Sequence, residues 1–236
     1  MTGPTTVARD EFIADLWKYQ AGEHVTMLGP TGCGKTTFGY QLLGASATAK
    51  LPAVTMVMKP KDATAKSWGK KLGHRTVRHW PPVPSPWQPG KPSGYTLWPK
   101  HTFDPDRDDP RHAAIFRAAI LDAYKRGRRI LFADETYGLT HELGLARPLV
   151  TVWSRGRAMD TGLWAASQKP THIPLWAYSM AQHLFLWYDP DKRAVERFSE
   201  IGGIDPKKVA LAVRSLDRHQ ALYIRRHPAA WCVVEK

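Results

Sequence analysis

The sequence predicts an α/β fold, a mainly parallel central sheet flanked on both faces by helices. Three observations carry that expectation. Short, continuous apolar runs such as Ala53–Met58 and Ile130–Ala133 read as strands buried on both faces. Segments with helical spacing fall between those runs, so strand and helix alternate along the chain. The length, 236 residues, suits one large hydrophobic core.

In chain order, residues 8–20 are expected to form a short helix, with Phe12, Ile13, Leu16 and Trp17 at helical spacing. Val25–Leu28 is the first core strand, and helix-forming Thr37–Leu43 follows a glycine-rich loop. Ala53–Met58 is the second strand. Asp62 caps a helix through Leu72, and Arg75–Trp80 is a further strand candidate. Between Pro81 and Pro99, seven prolines accompany Trp87, Tyr95 and Trp98. Proline at that density excludes helix and central strand, so residues 81–99 are expected to be an excursion. Its rings either stack on a partner or pin the segment to its own domain. Asp109-Pro110 is the expected start of a long helix to about Arg126, with Ile115, Phe116, Ala119, Ile120 and Ala123 on one stripe. Gly127 ends it, and Ile130–Ala133 follows as a buried strand. Pro148–Ala158 is expected to be a helix, and Leu163–Ala166, His183–Tyr188, Ala221–Ile224 and Ala230–Val234 complete the strands. Neither a repeat nor a linker divides the chain, so residues 1–236 read as a single domain.

Composition narrows the function classes. No run approaches the ~18 apolar residues of a membrane span, and Met-Thr-Gly-Pro lacks the form of a signal peptide. Two cysteines, Cys33 and Cys232, make no disulfide framework, which fits a reducing cytoplasm. The net charge is +13 and the pI about 9.9. A phosphate-binding loop needs only a few cations, so the surplus points to a polyanion, nucleic acid ahead of a membrane surface.

The chemistry begins at Gly29-Pro30-Thr31-Gly32-Cys33-Gly34-Lys35-Thr36, which satisfies G-x-x-x-x-G-K-[ST] directly after a strand. The glycines let backbone N–H groups turn inward on a β-phosphate, and the following helix adds its positive end. Lys35 reaches the β- and γ-oxygens, Thr36 offers a hydroxyl to Mg²⁺, and Thr37 stands next on the helix. ATP and Mg²⁺ are therefore the expected ligands. About 100 residues on, the strand Ile130–Ala133 delivers Asp134 and Glu135 at its carboxyl end, where ligands bind in open α/β sheets. Asp134 suits the metal, and Glu135 suits the attacking water of a hydrolase. Leu163-Trp164-Ala165-Ala166-Ser167-Gln168-Lys169-Pro170 places Gln168 beside the phosphate loop, to sense the γ-phosphate or position water. Arg155 and Arg157, in Trp153-Ser154-Arg155-Gly156-Arg157, either complement a helix's negative end or reach a neighbouring subunit's γ-phosphate as an arginine finger. Arg155 is the first choice for that finger.

The order of these motifs resembles a known family. Gly29–Thr36, then ILFADE ending at Glu135, then RGR-x5-LWAASQKP, is similar to the FtsK–HerA superfamily of DNA-pumping ATPases. So is the tail: HLFLWY, a helix with Val195, Phe198 and Ile201, the turn Gly202-Gly203, and two closing strands. The resemblance covers about residues 22–236. It implies a RecA-like P-loop NTPase fold, a homo-oligomeric ring (pentamer or hexamer) and ATP-driven translocation of double-stranded DNA. It gives Lys35, Thr36, Asp134, Glu135 and Gln168 the roles argued above, and Arg155 or Arg157 the finger in trans. A chain with little beyond the motor core is most similar to phage genome-packaging ATPases. That reading implies a capsid portal or vertex protein as a further partner and a location in the host cytoplasm or on the capsid. A conjugative or plasmid DNA-transfer ATPase is the alternative, with a P-loop kinase or a nucleotide-switched binding protein behind it. The excursion at 81–99 has no counterpart in the family pattern. Candidate DNA contacts are His74-Arg75-x-x-Arg78-His79, the pair Lys70-Lys71, and Lys125, Arg126, Arg128 and Arg129. The last group reads more simply as a solvated helix end.

Overall fold

In β6 (Arg129–Ala133), Ile130 and Phe132 point to one face while Leu131 and Ala133 point to the other, and all four are fully buried. That two-sided burial organises the molecule, as the alternation of strand side chains requires. On the Phe132 face lie α1 (Arg9–Glu11), which continues as a π turn over Phe12–Leu16, α2 (Lys35–Ser46) and α3 (Ala63–Lys71), through Phe12, Phe38, Tyr40, Leu42 and Ala65. The Leu131 face is covered by α4 (Pro105–Arg126), α5 (Ala146–Arg155), α6 (Leu175–Ser179) and α7 (Pro206–Arg214), through Phe116, Ile120, Leu149, Val152, Tyr178 and Val209. This computed structural model describes residues 3–84, 90–168, 175–191, 193, 197, 201 and 204–236.

The remaining strands are β1 (Thr5–Val7), β2 (Val25–Leu28), β3 (Ala53–Met56), β4 (Arg75–Val77), β5 (Gly94–Leu97), β7 (Thr161–Ser167), β8 (His183–Leu186), β9 (Ala221–Arg225) and β10 (Ala230–Val234). All ten join one sheet, ordered β1-β10-β9-β8-β2-β7-β6-β3-β5-β4. Every pairing is parallel except the two made by β9. Strand β7 sits between β2 and β6, with Leu28 opposite Ser167 and Phe132 opposite Trp164. That placement brings the carboxyl ends of three central strands together.

Several elements depart from the sequence expectation. The proline-rich stretch contains β5, a strand with partners on both sides. Its four residues hold no proline, so every ladder N–H is present, while Pro92 and Pro99 stand just outside it. Tyr95 and Trp98 pin their segment to its own domain: Tyr95 packs edge-on against Trp80, and the Trp98 Nε1–H donates to the Lys59 carbonyl at 2.8 Å. Helix α4 starts at Pro105, not Pro110; the Asp104 carboxylate caps it by accepting from the Asp106 N–H, and Pro110 is accommodated inside. The same Asp-Pro signature occurs twice, and the earlier copy nucleates the helix. Helix α5 starts two residues early, at Ala146, and stops at Arg155, where Gly156–Met159 tightens into a 3₁₀ turn. The N-terminal helix ends at Leu16 rather than near residue 20, and Trp17 then turns inward onto Trp164 and His183. Strand β1 and helix α7 were not anticipated; α7 is capped by Asp205 ahead of Pro206. Trp87, Lys169, Pro170, the expected helix residues Val195 and Phe198, and the turn Gly202-Gly203 lie outside the described residues.

Candidate active site

Gly34 stands at the N-cap of α2 with φ 104°, a left-handed conformation that a side chain would strain. The chain thus turns from β2 straight into the helix, whose first N–H groups face the loop's concavity. Inside that turn the Lys35 ammonium is largely buried; it donates to the Gly29 carbonyl at 2.5 Å and the Pro30 carbonyl at 2.9 Å, with Cys33 Sγ at 3.8 Å. Burial pushes the Cys33 thiol up, which keeps it a neutral packing group. Thr31, Gly32, Gly34, Lys35, Thr36 and Thr37 line a cleft of about 390 Å³ together with Asp134, Glu135 and Gln168.

Strand order connects these groups. From the end of β6, Asp134 accepts a 2.7 Å bond from the Thr36 hydroxyl. From the end of β7, Gln168 links the other two walls: its Oε1 accepts from Thr31 Oγ1 at 2.8 Å, and its Nε2 donates to Glu135 Oε2 at 2.8 Å. Phosphate loop, amide and acid therefore form one hydrogen-bonded chain. Burial raises the Asp134 carboxyl above the usual range, opposed by the Thr36 bond and by Lys59 and Lys35. Burial likewise raises Glu135, helped by the charge of Asp134 and opposed by the Gln168 bond and the two lysines. The Thr36 hydroxyl and Asp134 carboxylate are hard oxygen donors of the kind Mg²⁺ takes. A buried carboxylate with a raised pKa gains most from a cation beside it, so this pair fits the ion.

The sequence reading missed five residues of the cleft wall: Arg9, Lys59, Thr64, His219 and Lys236. Lys59 was findable, since it follows the apolar run of β3 at the ligand-binding end of the sheet. Arg9 and His219 were not, because 210 residues separate them and tertiary packing joins them: Arg9 donates to the His219 carbonyl at 3.1 Å, and His219 Nδ1 lies 3.3 Å from the Cys33 carbonyl.

Arg155 and Arg157 lie elsewhere. They are exposed at the amino end of β7, Arg157 beside Gly22 and close enough to His24 that its charge adds to the burial that lowers the His24 pKa. The seven residues of β7 separate them from Gln168, roughly 20 Å. They project from the amino end of central strands, because α5 must descend to where a parallel strand begins.

No family model matches the chain, and no curated protein matches it in sequence. Solved structures do. The genome packaging NTPase B204 from Sulfolobus turreted icosahedral virus 2, in complex with ATP-gammaS, superposes with a TM-score of 0.62 at 14% identity, covering 92% of this chain and 98% of B204. The fold is RecA-like. VirB4 of Thermoanaerobacter pseudethanolicus shares it with a TM-score of 0.65 at 12% identity, over 94% of this chain and 93% of VirB4. The pCW3 conjugation coupling protein TcpA, with ATPgS, matches at 0.51 and 15% identity, over 89% of this chain and 59% of TcpA. Among the described residues no helix is long and apolar enough to cross a membrane.

Proposed function

We propose that this chain is an ATP-driven translocase of double-stranded DNA, working as a homo-oligomeric ring in viral genome packaging. The observation that carries the hydrolytic part is the Thr31–Gln168–Glu135 chain facing Thr36–Asp134 across one cleft. Lys35 places its charge on the β- and γ-oxygens, and the loop N–H groups and the α2 N-terminus hold the phosphates. Thr36 and Asp134 would hold Mg²⁺, whose charge would offset that of the phosphates. Glu135 takes the proton of the attacking water; its raised pKa makes it a stronger base than a solvated carboxylate. Gln168 orients Glu135 and, through Thr31, ties that orientation to the phosphate loop. Support for the DNA part comes from the net charge of +13 and from B204, described as a DNA-packaging ATPase. The conjugative reading stands second, on the fold shared with the coupling protein TcpA.

The test is steady-state ATP hydrolysis with and without DNA. Lys35→Ala should lose nucleotide binding, whereas Glu135→Gln should bind ATP nearly as wild type yet turn over about 10²-fold or more slower. Double-stranded DNA should stimulate wild-type turnover with little regard to sequence, because a motor grips the backbone. Wild-type turnover in Glu135→Gln removes Glu135 from this role, and indifference to DNA removes translocation.

A further inference from the structure

Strand β4 closes one edge of the sheet, and α3 packs beside it, leaving a cleft of about 800 Å³ whose walls include Lys66, Lys70, Arg75 and Arg78. We propose that this cleft holds the phosphodiester backbone of double-stranded DNA. The inference rests on the translocase reading and says where on the subunit the duplex lies.

Charge makes the first argument. No aspartate or glutamate lines the cleft, and among the described residues none of these four cations enters an ion pair. Four arginines elsewhere are neutralised: Arg107 pairs with Asp104, Arg111 with Asp108, Arg126 with Asp122 and Arg128 with Asp160. A second basic cleft of about 680 Å³, sharing Pro82 with the first, contains Arg126 and Arg128. Its charge is thus partly spent, which favours the β4 cleft as the anion site.

Preorganisation makes the second. Arg75 donates one N–H to the Val83 carbonyl and lies over the Tyr95 ring; Arg78 donates to the Trp98 carbonyl at 2.7 Å and lies over the Trp98 ring. A guanidinium has five N–H donors, so each fork keeps donors to spare with its position already set, lowering the entropy lost on gripping a phosphate. The proline-rich segment thereby acquires a role, since Val83 and Trp98 supply the carbonyls that aim both arginines. Charged residues on an edge strand also discourage sheet-to-sheet pairing. That purpose needs nothing from α3, yet Lys66 and Lys70, one turn apart, converge on the same space.

The cleft stands two strands beyond β3, away from the ends of β2, β6 and β7, so its charge can be altered without touching hydrolysis. The experiment measures the affinity of the full chain for a 30-base-pair duplex across salt concentrations, together with basal and DNA-stimulated ATPase rates. Lys70→Gln combined with Arg78→Gln should keep the basal rate, weaken binding, and lower the slope of log affinity against log salt by roughly 2, about 0.9 for each phosphate that is no longer neutralised. Lys70→Arg with Arg78→Lys, which keeps both charges, should hold the wild-type slope. Removing Lys207 and Arg214, exposed cations on α7, should leave the β4-cleft slope change unreproduced. If the wild type binds DNA and the Gln variant keeps its slope, the cleft is not the site. Tighter binding of duplex RNA than of DNA overturns the choice of ligand. A wild type that neither binds DNA nor responds to it defeats the translocase reading itself, a result distinct from either.

Discussion

His24 and His74 show how single side chains tie this fold to pH. His24 is buried at the start of β2, accepts the Leu163 N–H on Nδ1 at 3.0 Å and stacks on Trp153. Burial, with the charge of Arg157 acting in the same sense, lowers its pKa to about 4. His74 lies against Gly94, where a Cβ would meet its ring at 2.5 Å, and burial lowers it to about 4 as well. Both folded values fall below the unfolded 6.5, so the unfolded chain binds protons more readily. Their contribution is whole above pH 6.5 and is lost as pH falls from there toward 4. At pH 5 the loss is about 2 kcal/mol for each histidine. Urea midpoints at pH 7 and pH 5 check this: the drop should shrink by that amount in His24→Asn, whose carbonyl oxygen can still accept from Leu163. An unchanged drop would show that His24 does not govern it.

Helix α2 illustrates how an element is held. Its phosphate-loop end is set by Gly34, and its middle by Gly39, where an added Cβ would lie 2.6 Å from Cζ of Phe132. Phe132 is fully buried and meets Tyr40 edge-to-face at 5.7 Å, so the ring has nowhere to go. Gly39→Ala gains helix propensity of up to about 1 kcal/mol but overpacks the α2–β6 contact, a cost of roughly 1–3 kcal/mol. The net expectation is a lower urea midpoint at unchanged m-value. Adding Phe132→Leu should recover part of the loss, and a stabilised Gly39→Ala would mean that helix and strand can separate freely. The contact matters for chemistry because β6 carries Asp134 and α2 carries Thr36.

At the scale of the whole molecule, the sheet separates the cleft from Arg155 and Arg157 by the length of β7. No intramolecular route brings those arginines to the γ-phosphate, so a role in hydrolysis requires a second subunit. In a ring, hydrolysis per subunit should rise with protein concentration. Arg155→Ala should bind ATP normally, because its own phosphate loop is intact, yet turn over slowly. Mixing it with Glu135→Gln should restore activity wherever an intact arginine faces an intact glutamate across an interface. Full activity in a dilute monomer, or in both Arg155→Ala and Arg157→Ala, would place the arginines outside catalysis.

Local information made the central machinery legible. A glycine-rich loop between an apolar run and a helix former, or two acids ending a buried strand, restricts the backbone within a few residues. Hence Gly29–Thr36, Asp134, Glu135 and Gln168 could be picked out, along with most strands of the sheet. What the sequence left open depended on partners far along the chain. Strand β5 survives among prolines because β3 and β4 flank it, and the three residues of β1 are a strand only through β10. Residues 104–110 offer two Asp-Pro starts, and the buried Asp108 carboxylate, accepting from the Thr102 and Phe103 N–H groups, holds the first turn of the earlier one in place. The bonds joining Thr31, Gln168 and Glu135 exist because β7 lies between β2 and β6, a strand order that no local pattern encodes. Arg9, Lys59 and His219 enter the cleft wall, and Arg155 and Arg157 move to the far end of the sheet, for the same reason. Local sterics and periodicity determine which elements form, while burial across the whole sheet determines which of them become neighbours.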